Sequence, residues 1–198
     1  MTFNPESIPL FKKTLSNVQY FTQKPDYEGP DPDVVEINEN TITANAATKF
    51  YFMRCNGKTF NVDTRCGKIM IDNCTDAHFN LNGVITTHMF EAWGSKNLRI
   101  DVRTNVQTIQ LDDCEDVEIV VPNLRHFEAI VHINAVRTKV TVGNFETFEL
   151  PPDEVGGSQP HNQYVLRMID GKLVNEVLKR SNIFPVYGGK ATLPAAAK

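Results

Sequence analysis

The sequence predicts an all-β solenoid, and three observations carry that expectation. Two short apolar runs recur together about every 20 residues between Phe52 and Val142. Each run alternates apolar and polar residues, the signature of a half-buried strand. Turn-forming pairs stand between the runs. A unit this short cannot bury its apolar side alone, whereas stacked copies can.

The first run reads YFMRC (51–55), IMIDNC (69–74), MFEAW (89–93) and IQLDDC (109–114). The second reads TFNV, HFNL, LRIDV and VEIVV, and a fifth pair, AIVHI and KVTV, continues the series. Steps along the first run are 19 (Phe52 to Ile71), 19 (Ile71 to Phe90) and 21 (Phe90 to Leu111). Along the second they are 19 (Phe60 to Phe79), 21 (Phe79 to Ile100), 19 (Ile100 to Ile119) and 21 (Ile119 to Val140). Ile69, Ile71, Phe79 and Leu81 then face inward, and Met70, Asp72, His78 and Asn80 outward. Rungs about 4.8 Å apart bring equivalent outward residues together. That predicts a surface ladder of His78, Arg99, Glu118 and Lys139. Asn56-Gly57, Asn73 to Asp76, Asn82-Gly83, Gly94-Ser95 and Asp112-Asp113 read as the turns.

Outside the repeat, residues 1–33 read as an N-terminal helical segment followed by a Pro/Gly linker. Ile8, Phe11, Leu15 and Val18 lie on one helical face, and KPDYEGPDPD holds neither helix nor strand. Regular structure is expected from Val34-Val35, in a β-helix domain over 34–180. After Leu150 comes a loop, then a hairpin turning at Asp170-Gly171 between Tyr164–Ile169 and Lys172–Leu178. A helix from Lys172 is the competing reading for its second arm. The hairpin covers the open last rung or pairs with a second molecule. Residues 181–198 read as a flexible tail.

The bulk composition narrows the function classes. A formal charge of −4 and the lack of a Lys/Arg-rich run argue against nucleic acid or an anionic membrane as partner. No apolar run reaches the roughly 20 residues of a membrane helix, and MTFNPESIP does not read as a secretory signal. The expected location is therefore cytosolic. Cys55, Cys74 and Cys114 recur at one place in three repeats, with Trp93 read into that place in the fourth. That recurrence favours structural thiols over a redox site, and no cluster has metal-ligand spacing. The five histidines are scattered, and there is no H-E-x-x-H, P-loop, G-x-G-x-x-G or G-x-S-x-G. Asp112-Asp113 reads as a turn, in preference to the paired carboxylates of a glycosidase. No cofactor, metal site or catalytic residue is expected.

The stretch CNGKTFNVDTRCGKIMIDNCTDAHFNL, followed by NLRIDV and TIQLDDCEDVEIVV, resembles the C-terminal β-helix domain of the cyclase-associated proteins. Ile69–Cys74 stands where that family has I-x-I/V-D-N-C. Gln163-Tyr164 and Ile169 to Val174 resemble its closing Q-F and N-G-x-K-L-V elements. The resemblance covers roughly 34–178. It implies a right-handed parallel β-helix that dimerises by exchanging its C-terminal hairpin, with Val165, Leu166, Leu173, Val174 and Val177 as the dimer residues. It implies binding of monomeric actin in its ADP form, promotion of nucleotide exchange, and a cytoplasmic, cytoskeleton-associated protein that is not an enzyme. By positional carry-over, Glu154, Gly156, Gly157, Gln163 and Tyr164 face the partner. The segment 154–164 departs from the family's E-G-G-D-F and P-V-P-E-Q-F elements, keeping two glycines, the Gln and an aromatic.

Three other readings stand beside it. Leu10-Phe11-Lys12-Lys13-Thr14 is similar to the L-K-K-T core of thymosin-like actin-binding peptides, but a plain surface helix fits as well. Tubulin-binding cofactor C shares the expected fold and supplies a GTPase-activating arginine. The nearest match here is Asn97-Leu98-Arg99, and Arg99 reads first as a rung-face residue of the charge ladder. The altered 154–164 segment also allows a scaffold without actin binding.

Overall fold

In a computed structural model of the chain, the described residues are 17–22, 33–152, 162–181 and 184–186, with backbone alone for 179–181 and 184–186. The strands in chain order are β1 (Val18–Thr22), β2 (Val34–Ile37), β3 (Lys49–Met53), β4 (Thr59–Val62), β5 (Lys68–Asp72), β6 (His78–Leu81), β7 (Met89–Trp93), β8 (Lys96–Val102), β9 (Thr108–Asp112), β10 (Glu115–Val121), β11 (Ala129–Ile133), β12 (Lys139–Val142), β13 (Phe148–Glu149), β14 (Gln163–Ile169), β15 (Lys172–Val177), β16 (Lys179–Ser181) and β17 (Phe184–Val186). Odd strands β1 to β11 stack in parallel as one sheet, and even strands β2 to β12 as a second. The chain alternates between the two sheets, so each rung gives one strand to each. The fold is the expected parallel β-solenoid, of about five turns.

The core lies between the sheets. Phe50, Phe52, Ile69, Ile71, Phe90 and Leu111 of the first sheet are fully buried, as are Phe79, Leu81, Ile100 and Ile119 of the second. Aromatic packing dominates the first rungs: Phe21 stacks on Phe52 at 4.6 Å, and Phe60 on Phe79 at 5.1 Å. Each such ring buries more area than an aliphatic side chain, which suits the rungs nearest an open end.

Among the described residues, every corner from the first sheet to the second has one design. Two residues per corner hold φ between 49° and 64°: Arg54 and Gly57, then Asn73 and Asp76, Gly94 and Asn97, Asp113 and Asp116, Asn134 and Arg137. Asn, Asp and Gly tolerate this left-handed region, which explains why turn residues recur there. The residue after the first of each pair points inward, which produces the column Cys55, Cys74, Ser95, Cys114 and Ala135. Ser95, not Trp93, therefore takes the cysteine's place in the third rung of the column; Trp93 pairs with Asp72 and is half-exposed.

The register of the first sheet corrects the expected alignment. Phe90 pairs with Ile69 and Ile109, while Ala92 pairs with Ile71 and Leu111. Return connections of five residues (63–67, 103–107) alternate with connections of seven (82–88, 122–128). The two extra residues shift the strand by one full period, so the inward face is unchanged and the alternation cannot reveal it. Both sheets consequently share the step sequence 19, 21, 19, 21. The second sheet follows the expected register throughout: His78 pairs with Arg99, Arg99 with Glu118, and Glu118 with Lys139.

Two expectations at the ends change. Val18 belongs not to a helix but to β1, which pairs parallel with β3 and extends the first sheet by one strand. Phe21 is what decides this, because its ring stacks over the exposed end of the aromatic core. Ile8, Phe11 and Leu15 lie outside the described residues. At the other end, β17 pairs antiparallel with β16, so part of the segment expected to be a flexible tail is ordered as strand. The hairpin β14–β15 is as expected, turning through Asp170 (φ 48°) and Gly171 (φ 77°), the positive dihedrals of a two-residue type I′ turn. Lys172 continues as strand.

Candidate partner-binding surface

Parallel rungs end at β11, and the hairpin closes the first sheet there. β14 runs antiparallel to β11, pairing Ile130 with Leu166, His132 with Tyr164 and Ile133 with Gln163. Alternation then sorts the hairpin side chains. Tyr164, Leu166, Leu173 and Val177 share the core-facing side with Met168 and Asn175. Gln163, Val165, Arg167, Val174 and Glu176 share the other. Leu166 is fully buried against the last rung, and Leu173 packs on the core cluster. Val165 is buried, and on the same side the Arg167 guanidinium donates to Glu176 at 2.7 and 3.0 Å. Val174 is half-buried, and Val177 is 44% exposed.

The five residues assigned to dimerisation thus divide between closing their own solenoid and facing outward. Of those assigned to the partner surface, Gln163 and Tyr164 sit at the hairpin base, half-buried. Leu178 donates its backbone N–H to the Gln163 carbonyl at 2.7 Å. The Tyr164 ring stacks on His132 at 5.3 Å and 14°. His132, buried at the end of the core column, shares a 2.8 Å hydrogen bond between Nε2 and Asn175 Oδ1. Sequence reasoning missed His132 and Asn175. The signal was a histidine in a column otherwise filled by Phe, Ile, Ala and Leu. Glu154, Gly156 and Gly157 lie outside the described residues.

The outer faces of the two sheets differ in chemistry. The second carries the charge ladder. Asp101, 6% exposed, accepts from His78 Nε2 at 2.5 Å and from Arg99 Nε at 3.1 Å, and Arg99 Nη1 donates to Glu118 at 2.7 Å. Burial alone would raise the Asp101 pKa, but the hydrogen bonds from Arg99 and His78 outweigh it and hold the carboxyl below its ordinary range. Further pairs link Lys96 with Glu115 at 2.8 Å and Arg137 with Asp116 at 2.7 Å and with Glu115.

The first sheet's outer face is aromatic and sulfur-rich instead. Tyr20 meets Tyr51 edge-on at 5.5 Å, Tyr51 lies 6.2 Å from Trp93, and Met53 and Met70 stand beside them in register. Tyr51 Oη donates to Asp72 at 2.7 Å, and burial followed by that hydrogen bond pushes the phenol up to about 12. This face was legible as aromatic residues and methionines at outward positions of the repeat, although the motif reading passed over it. Asp112 and Asp113 form a turn: Asp112 ends β9 and accepts from Gln110 at 2.6 Å, while Asp113 holds positive φ. Among the described residues, no three His, Cys, Asp or Glu side chains converge as a metal site, and no helix is long and apolar enough to cross a membrane.

Rung stacking, paired αL corners and an antiparallel closing hairpin define a hairpin-capped parallel β-solenoid. Residues 17–179 match the family described as adenylate cyclase associated (CAP) C terminal. That range begins at β1 and ends at β16, so it spans the solenoid and its hairpin, and the chain belongs to this family. No curated protein gives a match to the chain.

Proposed function

We propose that this chain binds monomeric actin in its ADP form, speeds nucleotide exchange on it, and so promotes filament turnover. The carrying observation is the family match over 17–179, which takes in every solenoid rung and the closing hairpin. On this reading the protein makes and breaks no covalent bond. It acts by differential affinity for two actin states, the only way a binding partner can shift such an equilibrium. Its site comprises Glu154, Gly156, Gly157, Gln163 and Tyr164, and its setting is the cytoplasm and the cytoskeleton.

The same reading includes a homodimer formed by exchanging hairpins. Supporting it, β14–β15 is the one antiparallel addition to the first sheet, and it closes a core that otherwise ends on Ile130 and His132. A hairpin that caps its own rung fills an identical rung in a second copy with the same contacts.

The cofactor C-like alternative rests on Arg99 as an arginine finger. Its guanidinium is engaged by Asp101 and Glu118, and both carboxylates would have to be stripped away before it could serve a phosphoryl group. The actin reading is therefore preferred. Fluorescent etheno-ATP exchange on ADP-actin monomers tests it. The expected result is faster exchange that saturates with protein; unchanged exchange together with no ADP-actin binding ends the proposal.

A further inference from the structure

The inward corner column repeats one hydrogen-bond pattern in successive rungs. Each Cys or Ser donates its side-chain hydrogen to backbone carbonyls: Cys55 to Phe21 at 3.4 Å, Cys74 to Asp72 at 3.5 Å, Ser95 to Trp93 at 3.0 Å, Cys114 to Ala92 at 3.4 Å. Ser95 and Cys74 also accept from the backbone N–H one rung below. Cys74 N–H donates to Ser95 Oγ at 3.1 Å, and Cys55 N–H donates to Cys74 Sγ at 3.4 Å. Four thiols are buried in this chain, all reduced, yet only two of them are neighbours. Ser95 separates Cys74 from Cys114, Ala135 lies beyond, and Cys66 sits at a different corner, bridged to Ile85. Cys55 and Cys74 are register partners, flanked by the Met53–Asp72 pair and the Asn56–Thr75 bridge.

Their surroundings differ from those of the other two thiols. Burial pushes Cys66 up to about 12 and Cys114 up to about 11. Cys74 moves the other way, because hydrogen bonding from Cys55 outweighs the burial cost. Cys55 also lines a partly open cavity of about 230 Å³ at the N-terminal end of the solenoid, with Tyr20, Phe21, Val35, Lys58 and Phe60. That space admits several water-sized molecules, and the lysine contributes positive charge that favours a thiolate. Neither Cys66 nor Cys114 lines it.

We propose that Cys55 and Cys74 form a peroxide-reactive vicinal thiol pair, oxidised reversibly to a disulfide that ties the first two rungs together. Hydrogen peroxide is the oxidant. The Cys55 sulfur attacks one peroxide oxygen, the O–O bond breaks, and water leaves with the thiol proton, giving a sulfenic acid. The Cys74 sulfur then attacks that sulfur. The S–S bond forms, the S–O bond breaks, and a second water carries away the Cys74 proton. In-register rungs stack about 4.8 Å apart, inside the Cα range that a disulfide spans but near its short end. A bond formed there is strained and readily reduced by an external dithiol.

The test treats the whole folded chain with hydrogen peroxide, alkylates the remaining thiols, and maps the peptides by mass spectrometry. The expected product joins the Cys55 peptide to the Cys74 peptide, is reversed by dithiothreitol, and forms at least about tenfold faster than modification at Cys66 or Cys114. Cys74→Ser places in the second rung the residue already present at position 95. It is expected to stop at a Cys55 sulfenic acid, trapped by dimedone, while Cys114→Ser reacts like the parent. Cross-linking only in urea, oxidation of all four thiols at similar rates, or Cys55 and Cys74 staying reduced overturns the proposal. Should the serine variant not fold, the peptide map of the unsubstituted chain still decides.

Discussion

Gly83 shows how little room a rung leaves at its corners. A Cβ there would lie 2.0 Å from the Thr64 carbonyl oxygen and 2.7 Å from its carbon, so backbone would have to move. Gly83→Ala is expected to cost about 3 kcal/mol, the upper end of overpacking penalties, read as a lower urea midpoint at unchanged m-value. Asp101 supports a pH prediction. Its folded pKa is depressed, so its contribution is present above the unfolded carboxylate value of about 3.9 and is lost as pH falls through the lower folded value. Acid unfolding curves of Asp101→Asn are expected to lack that component below about pH 4, and to start about 1–3 kcal/mol less stable at neutral pH. Identical acid limbs in the two proteins would remove Asp101 from the account. The αL corners were legible residue by residue, because Asn, Asp and Gly mark positive φ. Arg54 and Arg137 adopt it without that signal, at the first and last of the five corners.

Among elements, the hairpin is where sequence and structure agree on form and add to each other on role. Alternation and Asp170-Gly171 sufficed for the two arms and the turn. They did not show that Leu166 would be the fully buried residue, because that depends on which neighbour β14 meets. Leu166→Ala is expected to cost about 2–5 kcal/mol, and Val177→Ala within about 0.5 kcal/mol, by chemical denaturation. Equal effects would mean that the hairpin does not close the core through Leu166. β1 teaches the converse lesson. Val18 matches a helical face in the sequence, but Phe21 three residues on has an aromatic core to cover, and Val18 joins the strand that carries it. The register of β7 is a third case. A shift of two residues is silent to alternation, and only hydrogen bonding to β5 and β9 shows that Ala92 rather than Phe90 continues the Ile71 column.

For the whole molecule, the prediction that separates closing from exchange concerns Val177, exposed on a single chain. Val177→Asp is expected to leave unfolding within about 0.5 kcal/mol while weakening an exchanged dimer at least about tenfold. Light scattering across a dilution series reads the second effect, and a parent chain that is monomeric at every concentration would end the exchange reading. What the linear chain settles is the solenoid: period, alternation and turn chemistry are local properties, each repeated about five times, so they reinforce one another. The charge ladder of His78, Arg99, Glu118 and Lys139 follows from the same arithmetic. Three-dimensional packing settles what repeats cannot. It assigns the inward and outward sides of the hairpin, places β1 over the aromatic core, and leaves Cys55 and Cys74 as the only stacked thiol pair because Ser95 intervenes. Repetition specifies its own interior, whereas ends and singular neighbours depend on contacts between residues that no period relates.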